Sequence, residues 1–288
     1  QGVATLYLPE GNHSLRIFCG GESADGEVAV NGSDQKKSVQ LEDRRKLYIY
    51  LCAAGAYEGD PEQLASFEII AKAIKEKYPQ KPIYLFGHSM GSLVARSYAA
   101  GHDHHLAALI LSGEASNNPA VGAGLFLTRL MALFRGDRYR SPLIESMSTG
   151  AYDKAFPEGE KFQWLSVNEE NRQKYIEDPG CGFPFTLNGY DTLFSFMKRT
   201  YSPKYYSVRN KKMPILFLSG EDDPVMGGKK AFHDAVRFMR DMGYRDVRSK
   251  LYPGMRHEIL MENERDTVCA DIAAFIEEAV QGSAPVGE

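Results

Sequence analysis

From residue 47 onward the hydrophobic positions fall into two alternating patterns. Short apolar runs rich in Ile, Leu, Tyr and Phe read as strands at 47–52, 83–86, 106–111 and 215–218, with a further strand at 247–252. Longer stretches between them carry helical spacing. Residues 64–78 place Leu64, Phe67, Ile70, Ala71 and Ile74 on one face, and Pro79 with Pro82 ends that helix. Residues 89–100 return to the same rhythm before Gly101, and 227–243 and 265–280 read as two more helices, the last one terminal and amphipathic. Strands that alternate with helices build βαβ units, so the expected fold class is α/β, a mostly parallel sheet flanked by helices.

The rhythm breaks twice. Residues 114–209 hold Asn117-Asn118-Pro119, an apolar run at 125–134, Arg-rich turns and Gly180-Cys181-Gly182-Phe183-Pro184, but no clear strand. An exposed linker would be poorer in Leu, Phe and Met, so this stretch predicts a packed helical cap inserted between two core strands. The core is then 1–113 with 210–280, and the Gly, Ser, Pro and Ala of 281–288 make a frayed tail. The first fifty residues are heavily punctuated by Gly20-Gly21, Gly26, Asn31-Gly32-Ser33 and the charged stretch 35–46. Only short strands near 5–8, 14–18 and 28–30 stand out there.

Composition narrows the functional classes. A chain of 288 residues that is 43% hydrophobic and 25% charged has the apolar material for a sizeable core, which excludes disordered and fibrous proteins. Its 34 basic and 38 acidic residues give a net charge of −4, with no basic run to favour a nucleic-acid partner. No stretch approaches the roughly 18 apolar residues of a membrane span, and no basic segment leads into an apolar one at the amino terminus, so a cytoplasmic location is expected. Cys19, Cys52, Cys181 and Cys269 form no CxxC pair, which leaves zinc-ribbon and dithiol sites unsupported. The triplets Asn12-His13-Ser14 and Asn31-Gly32-Ser33 match the glycosylation pattern, but such triplets are common by chance. Gly101-His102-Asp103-His104-His105 offers clustered metal-ligand types, yet it reads better as a polar helix-to-strand turn with no fourth ligand. Neither a metal nor an organic cofactor is expected.

The chemistry begins at Gly87-His88-Ser89-Met90-Gly91, where a strand runs straight into a helix. A bare G-x-S-x-G is a weak signal; its place between strand and helix gives it weight. Glycines on either side relieve crowding in a tight turn that forces Ser89 into a strained backbone and lifts its hydroxyl clear of the sheet. The Met90 N–H, at the amino end of the helix, is placed to stabilise an oxyanion. A serine nucleophile needs a base and the base an orienting acid. Strand 214–218 ends in Gly220-Glu221-Asp222-Asp223, and the loop after strand 247–252 carries His257, the one histidine of seven in a loop beyond the acid. Asp223, three residues past Gly220, is the preferred acid, with Glu221 and Asp222 as rivals. His88 reads as a packing or hydrogen-bonding neighbour, pointing away from the nucleophile.

Together, Gly87-His88-Ser89-Met90-Gly91-Ser92, Leu111-Ser112-Gly113, Gly220-Glu221-Asp222-Asp223-Pro224-Val225 and Tyr252-Pro253-Gly254-Met255-Arg256-His257-Glu258 resemble the monoacylglycerol lipase and lysophospholipase-like branch of the α/β-hydrolase superfamily, also grouped with serine aminopeptidases. The resemblance covers about residues 64–280. It implies hydrolysis through an acyl-enzyme on Ser89, with Asp223 and His257 completing a triad, a cap over the site, and carboxylic esters of lipids as substrates. One departure concerns the amino-terminal part. The branch supplies its second oxyanion N–H from a His-Gly motif after an early strand and carries an Asp-x-x-Gly-His-Gly loop after the next, whereas this chain has Phe18-Cys19-Gly20-Gly21-Glu22-Ser23 and 51–59 there. Either Gly20 or Gly21 then provides the donor through its backbone, or the hole is incomplete and the fold serves as a catalytically weak binding protein. A peptidase or amidase is the other alternative, with Glu169-Glu170 available to a substrate amino group. The apolar 125–134 segment with Met131 suits an acyl chain or transient contact with a membrane surface, with core packing of the cap as an equal competitor. Chain length, head group and oligomeric state have no signature in the sequence.

Overall fold

The computed structural model describes the backbone of strands at 2–5, 11–19, 22–30, 38–41 and 48–49, and residues 71, 74–79, 81–156 and 161–282. The chain forms two compact units, Gln1–Ala54 and Gly55–Glu288.

In the first unit, β1 (Gly2–Thr5) pairs antiparallel with β4 (Ser38–Leu41). Strand β2 (Gly11–Cys19) lies between β3 (Glu22–Val30) and β5 (Tyr48–Ile49), antiparallel to both, with Cys19 opposite Glu22. Two of these strands contain the stretches expected at 14–18 and 28–30. Of the strand expected at 5–8, Thr5 is the last residue of β1 and 6–8 lie outside the described residues, while β4 falls inside the charged stretch that carried no strand signal.

The second unit is built on a parallel sheet in the order β6 (Tyr84–His88), β7 (Ala108–Ser112), β8 (Ile215–Gly220), β9 (Val247–Tyr252). Every residue of β7 and β8 is buried, as central parallel strands covered on both faces must be. Alternation sends Leu109, Leu111, Ile215 and Phe217 to one face, where Ala95, Tyr98 and Ala99 of α1 (Met90–His102) pack with Phe232, Ala235, Val236 and Met239 of α6 (Lys229–Asp241). Ala108, Ile110, Leu216 and Leu218 face the other way onto Val268, Phe275 and Ala279 of α7 (Arg265–Gly282). The buried positions of α6 follow i, i+3, i+4, i+7, one apolar stripe on a polar helix. Strand β9 exposes Arg248, Ser249 and Lys250, charge and polarity that blunt its outer side. Helix α1 runs through Gly101, where the sequence pattern places its end, and α7 continues through Gln281 and Gly282; the rest of the expected tail lies outside the described residues.

Between β7 and β8 the described residues form helices and no strand: α2 (Val121–Arg135), α3 (Pro142–Met147), α4 (Glu169–Glu177) and α5 (Leu187–Thr200). Ser141, Asn168 and Thr186 start three of them with side-chain caps. The insertion has its own small core, in which Ile144, Leu187 and Tyr190 meet Leu127, Met131 and Phe194. It is fastened to the sheet by α5: Phe196, Leu193 and Met197 pack on Leu93 and Val94 of α1, and Ser97 bonds Thr200 at 3.0 Å. Among the described residues, no helix is long and apolar enough to cross a membrane.

Candidate active site

Parallel strands bring their carboxyl ends to one edge of the sheet, and loops leaving that edge are where α/β folds assemble chemistry. Ser89 leaves β6, Gly113 leaves β7, Asp223 follows β8 and His257 stands in the loop after β9. Ser89 sits at φ 54°, ψ −123°, a conformation non-glycine residues adopt at a cost of about 1–3 kcal/mol. Its N–H donates to the Ser112 carbonyl at 2.9 Å, and its own carbonyl accepts from Ser92 Oγ at 2.6 Å, so both sides of the turn are tied down. The two glycines of the elbow differ. A Cβ at Gly87 would lie 2.4 Å from the Gly91 carbonyl oxygen and 2.8 Å from Ala95 Cβ, whereas one at Gly91 meets nothing within 4 Å among the described residues. The turn therefore requires the first glycine, and nothing among the described residues requires the second.

Asp223 is buried, and its two oxygens are divided between tasks. Oδ1 accepts from the Val225 N–H at 2.8 Å, and Oδ2 accepts from His257 Nδ1 at 2.9 Å and from Ser219 Oγ at 3.1 Å. Its rivals are engaged elsewhere: Glu221 pairs with Lys229, and Asp222 is exposed. Gly220 makes the approach possible, since a Cβ there would lie 2.2 Å from the Arg256 carbonyl oxygen and 2.3 Å from that of Met255. The loop that carries His257 thus rests directly on the end of β8. Burial pushes the His257 pKa down, but the Asp223 charge, its hydrogen bond and Glu258 outweigh burial and hold it above the usual imidazole value.

His88 is the packing and hydrogen-bonding residue the sequence suggests, and it lies beside His257. Its ring lies 4.9 Å from that of His257 and its Nδ1 is 3.2 Å from Ser112 Oγ. A Cβ on Gly113, at φ 54°, would touch both imidazoles at 3.0 Å. Burial, then the neighbouring His257, drives the His88 pKa down to about 3, so it stays neutral. Two aromatic residues of the insertion also reach the site. The Trp164 ring lies 5.2 Å from His257, and Tyr152 lies 5.1 Å from Trp164; burial and then the Asp223 charge raise its hydroxyl to about 12. Both lie in a stretch without strand or helix periodicity, and no sequence pattern marked them. Met90 opens α1, while Gly20 and Gly21, the expected second oxyanion donors, lie outside the described residues, as do 51–59.

Three other candidates also have defined places. Asp103 of the His-rich turn is buried and accepts from the backbone N–H groups of Arg209 and Asn210, while His104 and His105 pack ring against ring at 4.0 Å. Glu169 and Glu170 form the first turn of α4, a helix with no buried residue, where Glu170 pairs with Lys174. In the apolar 125–134 stretch, Leu125 is buried and Leu127, Met131 and Ala132 join the insertion core, whereas Phe126, Leu130, Leu133 and Phe134 are exposed.

A parallel sheet with helices on both faces, a strained serine between strand and helix, and a buried Asp–His pair at the same sheet edge define an α/β-hydrolase. Residues 62–264 match the family described as Serine aminopeptidase, S33, and the chain belongs to that family. It is 25% identical over 207 residues to a probable lysophospholipase L2 of Haemophilus influenzae (strain ATCC 51907 / DSM 11121 / KW20 / Rd), covering 67% of this chain and 59% of that one. The chain thus spans about three-fifths of the length of that relative. Among solved structures, a thermostable carboxyl esterase from Bacillus coagulans in complex with glycerol superposes with a TM-score of 0.69 at 24% identity, over 75% of this chain and 71% of the other. A monoacylglycerol lipase of Paleococcus ferrophilus gives 0.54 at 19% identity, over 75% and 76%. These two likenesses concern the fold.

Proposed function

We propose that the chain is a serine hydrolase that cleaves carboxylic esters of monoacylglycerol-like or lysophospholipid-like lipids through an acyl-enzyme on Ser89. The observation that carries this reading is the buried 2.9 Å bond from His257 to Asp223 at the sheet edge that also bears the strained Ser89. With Nδ1 engaged by Asp223, His257 takes the Ser89 proton on Nε2 as Oγ attacks the ester carbonyl. The C–O bond to the alcohol then breaks and the alcohol leaves with that proton. Water attacks the acyl-enzyme, gives a proton to Nε2, and the carboxylic acid departs as Ser89 Oγ regains its hydrogen. The Met90 N–H holds the oxyanion at each tetrahedral stage.

The lipid class rests on the lysophospholipase-named relative and on the exposed row Phe126, Leu130, Leu133 and Phe134, spaced i, i+4, i+7, i+8 on α2. With Arg135 exposed beside it at the end of the helix, this row fits the surface of an anionic lipid layer from which a monoacyl substrate is drawn. The test is kcat/KM on p-nitrophenyl esters from acetate to laurate, beside aminoacyl amides, for the wild type and Ser89→Ala. Rates that rise with chain length and vanish in the variant are expected. Faster cleavage of the amides would overturn the substrate class, and turnover that survives in Ser89→Ala would overturn the mechanism.

A further inference from the structure

We infer that Glu262 is a positioning residue that locks the base-bearing loop to the insertion, so that the insertion holds His257 in place as well as contributing residues to the site. This rests on the reading of His257 as the general base.

Glu262 is 1% exposed, and all four groups that donate to it are neutral. Three come from the insertion: Ser166 Oγ at 2.7 Å to Oε2, the Val167 N–H at 3.0 Å to both oxygens, and the Asn168 N–H at 3.2 Å. The fourth is the N–H of Arg256, next to the base, at 2.9 Å to Oε1. A carboxylate out of water needs such a set of donors, and each donor needs an acceptor it cannot find in solvent. The set also fixes geometry, because it draws 166–168 and 256 onto one pair of oxygens.

What lies beside this knot explains its purpose. The His257 N–H donates to the Trp164 carbonyl at 3.3 Å and the Glu258 N–H to that of Leu165 at 2.7 Å, so 164–165 and 257–258 pair along their backbones. Asn171 Nδ2 donates to Glu258 at 2.8 Å, Arg256 Nη1 donates to Gln163 Oε1 at 2.9 Å, and the indole of Trp164 flanks the imidazole. Phe162, at the head of the segment, is held at φ 66°. Thus Asp223 fixes the imidazole of His257, while the insertion fixes its backbone. Any movement of 163–168 away from the sheet either carries His257 with it or breaks this set of bonds. Glu262 bonds to the backbone beside His257 and to the insertion, and acts through His257.

The experiment compares wild type, Glu262→Gln, Ser166→Ala and the exposed control Glu264→Gln, with Ser89→Ala as blank. A fluorophosphonate titrates active sites, and kcat and KM on p-nitrophenyl butyrate are taken per titrated site from pH 5 to 9. Glu262→Gln turns one acceptor into an amide donor facing N–H groups, and is expected to lower kcat by about 10–100-fold with KM within about twofold. The acid limb of its kcat/KM profile is expected to move down in pH, because a loosened imidazole loses Asp223. The other groups around His257, namely Glu258, His88 and Tyr152, are unchanged. Ser166→Ala removes one donor and is expected to shift the same quantities by a smaller factor, which keeps the test alive if Glu262→Gln fails to fold. A purely structural role would lower the melting temperature or the fraction of titratable sites and leave kcat per site and the acid limb at wild-type values. That result in Glu262→Gln, or in Ser166→Ala if Glu262→Gln fails to fold, overturns the inference. Absence of Ser89-dependent labelling in the wild type would overturn the underlying reading instead, and the two failures are therefore distinct.

Discussion

As the proposed general base, His257 links activity and stability with opposite signs. Its pKa is raised in the folded chain, so its charged pairing with Asp223 stabilises the fold fully below the unfolded value of about 6.5 and fades as pH rises through the folded one. A general base works only when neutral, so activity grows over the same window in which that stabilisation is lost. The acid limb of kcat/KM is therefore expected above about 6.5. Asp223→Asn is expected to move it down, reduce kcat by roughly 10²–10⁴, and remove the extra stability at low pH. A pH–rate profile and urea melts at pH 5 and 8 check all three; an acid limb unmoved by the substitution would contradict the assignment. The glycines make a second contrast. Gly87→Ala and Gly220→Ala force a Cβ within 2.4 Å of backbone oxygen and are expected to abolish fluorophosphonate labelling, while Gly91→Ala keeps it. The order of Ser89, Asp223 and His257 was legible because each follows a strand in a short motif. His88 makes the hydrogen bond and ring packing expected of it, and Glu262 was invisible because three of its four partners lie nearly a hundred residues away.

At the scale of elements, strands buried on both faces announce themselves as unbroken apolar runs, which is why β7 and β8 lie close to where the sequence pattern places them. The charged stretch around β4 carries no such run, because backbone pairing with β1 does not itself require apolar side chains. Helix α2 shows a different limit: periodicity reveals an apolar helix but not which of its sides finds a partner. Half of its apolar residues build the insertion core and half face outward. Phe126→Ser, Leu133→Ser and Phe134→Ser together are expected to abolish co-sedimentation with anionic phospholipid vesicles, leaving turnover of a short soluble ester within twofold. Equal binding by the triple variant would remove the lipid-surface role of α2. A second tie between elements is the fully buried ion pair of Arg96 on α1 with Glu114, just after β7, at 2.7 Å, joined by the Tyr201 hydroxyl beyond α5. Arg96 Nε and Nη2 have no hydrogen-bond partner among the described residues, and its guanidinium lies against the rings of Tyr201 and Phe217. Glu114→Gln strands a buried cation and is expected to lower stability by about 3–5 kcal/mol in urea. A loss below about 1 kcal/mol would show that the charge is screened by these rings and the Tyr201 hydroxyl.

At the scale of the second unit, two of the insertion's joints to the rest of the unit bear on the site. One is the α5–α1 contact with the Arg96 network beneath it; the other is the pairing of 164–168 with the His257 loop. Neither joint was legible, since an insertion between strands announces its length and composition but not its points of attachment. Two attachments far apart in sequence make independent opening of the insertion expensive, because each carries buried polar groups that would lose partners. Trp164, the sole tryptophan of the chain, stands at the second joint with its ring against His257. Its fluorescence therefore reports the joint, while fluorophosphonate reactivity reports an assembled Ser89 and His257. In a urea titration the two signals are expected to fall together within about 0.2 M, as groups in one cooperative unit do. Fluorescence lost first, with reactivity retained, would mean that the base keeps its position without the insertion. The insertion would then be a cover over the site and nothing more.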